Sequence, residues 1–283
     1  MVKPLIGAHV SAAGGLFPAI AHGEALGVEA IQIFGSSPQQ WFTKMPTVKD
    51  AEEFKKLQKK SAIKAVYLHA PYLVNLASDN PEQWDKSVKC LSEHLKIAEM
   101  IDANGLVFHT GSKGTAEHEG ALQRVAKGMK KVLSEVSGNA KLILENSAGG
   151  GNKIGNIPED IGKILKLVKS PRAAVCLDTA HAFEAGQIEA YTGPKIKEFF
   201  DRWDKAIGLE NIVALHANDS KTKFDSHHDR HENIGQGFIG LAGFKALAKE
   251  KRIAHTAWLL EVPGYENEGP DKKNVDTLKS CFK

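Results

Sequence analysis

The sequence predicts an α/β protein of the (β/α)8 TIM-barrel class, and three observations lead there. Eight short apolar runs recur along the 283 residues, and segments of helical period lie between them. Seven of the eight runs finish on a side chain that can bind metal or carry a proton. Runs this short, near-continuous in valine, isoleucine, leucine and alanine, read as parallel strands covered on both faces. Eight strand–helix units in roughly 250 residues is the usual size of such a barrel. A doubly wound open sheet is the competing architecture.

Taken in order, "LIGAHV" (5–10) ends on His9 and "AIQIFG" (30–35) ends on Phe34, the one exception. "AVYLHA" (65–70) brings His69, "GLVFHT" (105–110) His109 and "KLILEN" (141–146) Glu145. "AVCLDT" (174–179) brings Asp178, "IVALHAN" (212–218) His216 and "AWLLEV" (257–262) Glu261. Between them, "AEEFKKLQKKS" (51–61), "SVKCLSEHLKIAEMI" (87–101), "ALQRVAKGMKKVLSEV" (121–136) and "DIGKILKLVKS" (160–170) have helical period. Their lysines and glutamates fall on one face, with leucine, isoleucine and valine on the other. No Pro/Ser-rich linker or low-complexity tract interrupts the series, so residues 1–283 are expected to form a single catalytic domain.

The totals exclude several classes. Hydrophobic and charged fractions of 42% and 25% are those of an ordinary globular chain, and a formal charge of +3 does not announce a nucleic-acid binder. Cys90, Cys176 and Cys281 form no close pair, which argues against a disulfide framework and a thiolate zinc site. The amino terminus lacks the apolar core of a secretory signal, and no run approaches the ~18–20 residues that cross a bilayer. A reducing cytoplasm is expected, or a nucleus if the source is eukaryotic, and nothing demands more than a monomer.

In a barrel the carboxyl ends of the strands converge on one face, where active sites of this class are built. A lone histidine after an apolar run is more often a hydrogen-bonded rim residue than a ligand. Seven such ends together are harder to dismiss, because crowded carboxylates repel one another and resist desolvation. Local additions fit the same face: His181 follows Asp178 by three, Asn218, Asp219 and Lys221 follow His216, and "SHHDRHENIGQG" (226–237) adds Asp229 and His231. Asp229 and His231 are two apart, so in extended chain both point the same way. The remaining His22, His94, His118, His227, His228 and His255 are expected to be solvated.

The candidate ligands are thus His69, His109, His181, His216 and His231 with Glu145, Asp178, Asp229 and Glu261. With three to four ligands per ion and one carboxylate shared, they suit about three ions. Imidazole and carboxylate without thiolate favour zinc, with manganese or iron as alternatives at some positions. Three divalent ions against four carboxylates leave a net positive centre, which welcomes a phosphodiester and the extra charge of its transition state.

In this respect the chain resembles endonuclease IV, the zinc-dependent apurinic/apyrimidinic endonuclease family, nearly from end to end. The resemblance rests on "GAHVSAAGGL", "HAPYLVNLAS", "LENSAGGGNKIG", "CLDTAHAFEAG" and "LHANDSKTKFDSHHDRHENIGQGFIG", in the family's order. It implies a xylose-isomerase-like TIM barrel with a trinuclear zinc site. His69 and His109 would hold the first ion, with Glu145 bridging to the second. Asp178, His216 and Glu261 would complete the second, and His181, Asp229 and His231 would hold the third. Gly235 and Gly237 would let the third-ion loop turn tightly beside DNA.

The resemblance further implies duplex DNA carrying abasic sites or blocked 3′ ends as substrate. Cleavage 5′ to the abasic site would leave a 3′-hydroxyl and a 5′-deoxyribose phosphate, with a metal-activated water as nucleophile. Glu145 and Glu261 would be the catalytic carboxylates, and His9 would sit one shell out, bonded to a ligand or to the phosphate. DNA contacts would come from Gln39, Gln40 and Trp41 in "SSPQQW", from Tyr72 and from Arg230. Gln39 stands where other members often carry arginine, and "FDS" stands where "GS" is commoner. The alternative is a metal-dependent sugar isomerase or epimerase of the xylose-isomerase type, which needs Glu145, Asp178, His216 and Glu261 alone. A DNA-lesion binder without activity is a third reading, disfavoured by the intact ligand set.

Overall fold

The computed structural model describes residues 3–283. Seven parallel strands follow one another: β1 (Leu5–His9), β2 (Ala30–Phe34), β3 (Ala65–His69), β4 (Gly105–His109), β5 (Lys141–Glu145), β6 (Ala173–Asp178) and β7 (Ile212–His216). A small antiparallel ribbon, β8 (Asp219–Ser220) with β9 (His231–Glu232), comes next. β10 (Ala257–Leu260) then pairs with both β7 and β1 and closes an eight-stranded barrel. The doubly wound sheet is thereby excluded.

Helices α1 (Pro18–Leu26), α2 (Val48–Lys60), α3 (Pro81–Met100), α4 (His118–Glu135), α5 (Pro158–Val168), α6 (Thr179–Glu184), α7 (Gly193–Ile207), α8 (Gly240–Leu247) and α9 (Lys272–Ser280) complete the chain. Their starts are locally encoded. Thr47 and Asp50 form a reciprocal capping box on α2, and the Asn80 side chain accepts from the amides of Glu82 and Gln83 at the head of α3. All four helices read from period are present.

Burial follows the two-residue alternation of a strand. Val66, Leu68, Leu106, Phe108, Leu142 and Leu144 point outward into the main core under the helices. Tyr67, Val107, Ile143, Cys176, Ala214 and Leu259 belong to a separate cluster that fills the barrel interior. Two residues further along the same inward face stand His69, His109, Glu145, Asp178, His216 and Glu261. The interior is tight: a Cβ on Gly7 would meet the Ala30 carbonyl oxygen at 2.6 Å, so β1 and β2 approach only because that position is glycine.

One expectation fails here. His94 is fully buried on α3, not solvated, because its Nδ1 donates to the Cys90 carbonyl at 2.8 Å and its Nε2 meets Ser36 Oγ at 2.9 Å. The three cysteines are free and buried. Among the described residues, no helix is long and apolar enough to cross a membrane.

Candidate metal centre

His9, Phe34, His69, His109 and Glu261, at the carboxyl ends of five strands, line a cavity of about 1480 Å³, and Glu145, Asp178 and His216 lie buried beneath that floor. Ladder register places these residues side by side, with Phe34 beside His69, His109 beside Glu145 and Asp178 beside His216. Three adjoining groups result, each with donor atoms within 4.8 Å of one another: His69, His109 and Glu145; Glu145, Asp178, His216 and Glu261; Asp178, His181 and His231. Glu145 is common to the first two groups and Asp178 to the last two.

In the first group, Glu145 Oε2 lies 3.1 Å from His69 Nε2 and 3.5 Å from His109 Nδ1. His69 Nδ1 donates to the Ala70 carbonyl at 2.8 Å, which leaves the Nε2 lone pair facing inward. The second group centres on His216 Nδ1, which is 2.9 Å from Glu145 Oε1, 3.1 Å from Glu261 Oε2 and 3.9 Å from Asp178 Oδ2. Its Nε2 donates to Gln32 Oε1 at 2.9 Å, so Nδ1 is the free nitrogen. Gln32 Nε2 donates in turn to Glu261 Oε1 at 2.5 Å, and His9 Nδ1 lies 3.2 Å from that same oxygen.

The third group owes its shape to a helix start and to the ribbon. Asp178 caps α6, accepting from the His181 amide at 2.8 Å, so His181 rides the first helical turn. His181 Nδ1 donates to the Asn146 carbonyl at 2.9 Å, and His231 Nδ1 lies 3.3 Å from the Glu261 carbonyl. Their Nε2 atoms are buried without a hydrogen-bond partner. Asp229 Oδ1 stands 3.2 Å from one and 3.7 Å from the other, and Asp178 Oδ2 reaches within 3.6 Å of His231 Nε2. Asp178 therefore joins the histidines expected to share only Asp229.

Orphaned imidazole nitrogens turned on the buried Asp178 and the partly exposed Asp229, with no thiolate, fit divalent cations that prefer nitrogen and oxygen donors. Without ions, protons do the balancing. Burial opposes charge on His181, but Asp178 and Asp229 facing it hold the imidazole well above its usual value. Burial likewise opposes charge on Glu145, but His109 and His216 keep its carboxyl well below the ordinary range. Metal entry must displace such protons. Zinc loading of stripped protein in weak buffer is expected to release them, more at pH 7 than at pH 9. An absence of proton release in a pH-stat would contradict this balance.

The other expected residues divide. His9 contacts Glu261, and Tyr72 and Arg230 line the cavity. Gln39 and Gln40 are exposed outside the lining, and Trp41 packs partly against the core. The neighbouring Pro38, Lys44 and Met45 line the cavity instead. Lys221 also lines it, whereas Asp219 is buried and accepts from the amides of Gly235 and Gly237 at 2.9 and 3.0 Å. A Cβ on Gly237 would collide with the Ser220 carbonyl oxygen, so that turn requires glycine at 237.

Sequence reasoning missed Gln32 and Asn146 and gave Asn218 no role. Asn146 and Asn218 both hold Asp178: Asn146 Oδ1 accepts from its amide at 2.6 Å, and Asn218 Nδ2 donates to its Oδ2 at 2.6 Å. Asn218 Oδ1 also accepts from the Glu261 amide at 2.7 Å. The available signal for Gln32 was an amide inside the apolar run "AIQIF".

Comparison with known proteins agrees with this architecture. A family described as "xylose isomerase-like TIM barrel" matches residues 20–281. A "probable endonuclease 4" of Aquifex aeolicus is 36% identical over 98% of both chains. The crystal structure of endonuclease IV from Thermus thermophilus superposes with a TM-score of 0.86 at 33% identity, covering 99% of each chain. A D-tagatose 3-epimerase-like protein shares the fold alone, with a TM-score of 0.69 at 19% identity over 98% of this chain and 94% of that one. A closed barrel, three linked donor groups and full-length likeness converge: this chain belongs to the endonuclease IV family of xylose isomerase-like TIM barrels.

Proposed function

We propose that this protein is a zinc-dependent DNA repair endonuclease that hydrolyses the phosphodiester 5′ to abasic sites in duplex DNA, leaving a 3′-hydroxyl and a 5′-deoxyribose phosphate. Trimming of blocked 3′ ends belongs to the same chemistry. The observation that carries the reading is the linkage of three donor groups through Glu145 and Asp178, buried just beneath one open cavity that His69, His109, His181, His231 and Glu261 line. Its company of endonuclease 4 relatives supports the substrate.

His69, His109 and Glu145 would hold the first ion, and Glu145, Asp178, His216 and Glu261 the second. His181, His231 and Asp229 would hold the third with Asp178 alongside. Zinc bound there supplies Lewis acidity for phosphate oxygens and acidifies water to a pKa of about 7. The chain's own groups do the rest. His9 and Gln32 fix Glu261 through its Oε1, which orients the carboxylate toward a proton leaving the attacking water. Tyr72, exposed and stacked edge-on against Phe34, offers a face to an unpaired base, while Arg230, Lys44 and Lys221 offer charge to flanking phosphates. Selectivity comes from deformability, since kinking and flipping at an abasic site cost less of the few kcal/mol that intact duplex demands.

The test is incision of a duplex with one synthetic abasic site, with elemental analysis of the same sample. About three ions per chain and a single cut 5′ to the lesion are expected. A sugar isomerase or epimerase would use the second group alone, so one ion, no incision and ketose turnover would replace this reading.

A further inference from the structure

Glu184, at the end of α6, is fully buried and lies outside all three donor groups. A buried carboxylate is costly unless its oxygens are matched by donors. Here every match comes from one segment, the ribbon and its loop. Glu184 Oε1 accepts from Ser220 Oγ at 2.7 Å, Thr222 Oγ1 at 3.2 Å and the Arg230 amide at 3.3 Å. Its carbonyl accepts from the His227 amide at 2.9 Å. Oε2 is left without a partner, and burial pushes the carboxyl up to about 7.

Those donors span the loop that delivers two of the third group's candidate ligands. Arg230, whose amide Glu184 holds, stands between Asp229 and His231. Ribbon pairing covers only Asp219 with Glu232 and Ser220 with His231, and one further bond joins the Lys221 amide to the Arg230 carbonyl. Beyond that point the loop is exposed, and Asp225 and His227 adopt left-handed backbone at φ 59° and 56°. Its other ties are dispersed: the Asp225 amide donates to the Phe183 carbonyl at 3.2 Å, Phe224 packs edge-on against Phe183, and Thr222 bonds Ser226 and His228 within the loop.

We propose that Glu184 is a positioning residue: by clasping Ser220, Thr222 and Arg230 from beneath, it holds the 221–231 loop so that Asp229 and His231 meet His181. The proposal rests on the metal-dependent reading above. Loss of an outer partner of this kind typically weakens metal binding or activity by roughly 10–100-fold.

The experiment compares wild type, Glu184→Ala, Glu184→Gln and a Ser220→Ala/Thr222→Val double variant. Hydrogen exchange of the stripped proteins is expected to rise about tenfold across 221–231 in Glu184→Ala and the double variant, with barrel strands unchanged. Zinc competition should show the most weakly held ion loosened about 10–100-fold in the same two, the others holding. Glu184→Gln keeps an acceptor oxygen and should restore both readouts. Wild-type exchange and zinc affinity in folded Glu184→Ala would overturn the proposal; if that variant does not fold, the same outcome in the double variant would do so. A wild-type protein that holds one ion or cuts no abasic duplex defeats the parent reading, and the exchange of stripped protein still decides the role of Glu184.

Discussion

Glu145→Gln is expected to strip the first two ions and to reduce incision of an abasic duplex by at least about 10³-fold. The size follows from sharing. One oxygen of Glu145 faces His69 and His109, while the other faces His216 at 2.9 Å. Glutamine preserves shape but removes the charge and turns one oxygen into a donor aimed at an imidazole. The third group, Asp178, His181 and His231 with Asp229 beside it, should keep its ion, so elemental analysis is expected to fall from about three to about one. His118→Ala is the control, because neither it nor its partner Asp160 lines the cavity and the ring is half-exposed. Near-normal cleavage by Glu145→Gln with a full complement of ions would refute the assignment of Glu145.

Stripping the metal should have the next largest effect, and the effect should depend on pH. An ion that binds only the folded chain adds about 4 kcal/mol when present at a thousandfold its dissociation constant. Three such ions correspond to a melting shift on the order of 10–20 °C. The sign with pH can be worked out from the groups themselves. His181 is held well above its usual value in the stripped fold. Its contribution is therefore complete below the unfolded value of about 6.5 and is lost as pH rises through the higher folded one. Burial raises Asp229, but His181 beside it outweighs this and keeps the carboxyl low. That contribution is present above about 4 and is lost as pH falls through the lower folded value. Stripped protein thus weakens from pH 6 to pH 8, while metal affinity grows as imidazoles lose protons. The melting gap between loaded and stripped protein should widen from pH 6 to pH 8 in calorimetry. A gap that narrows, or none at all, would contradict the cluster as described.

The barrel was legible because its signals are local. Apolar runs bounded by polar helices need no partner to be recognised, and His69, His109, Glu145, Asp178 and His216 each end a strand by their own place in it. The division of Asp178 between two groups was not legible, because it depends on where the ribbon sets His231. Gln32 escaped for a different reason. An amide in an apolar strand reads as an imperfection until the barrel closes and places it between His216 and Glu261, residues more than 180 positions away. His94 was misjudged because α3 is long and polar on average, although one of its faces is sealed by the loop after β2. Local pattern tells what a residue type can do; burial and partner choice come from chain segments remote in number.

The pairing of β10 with both β1 and β7 carries a consequence for the order in which the protein is made. As the chain leaves the ribosome, His69, His109 and Glu145 are all available once synthesis passes residue 145. The trio of Asp178, His181 and His231 must await residue 231, and Glu261 comes later still. The first donor group is therefore complete early along the chain, whereas the second is complete only when the closing strand docks. Closure of the barrel and completion of the second donor group become the same event.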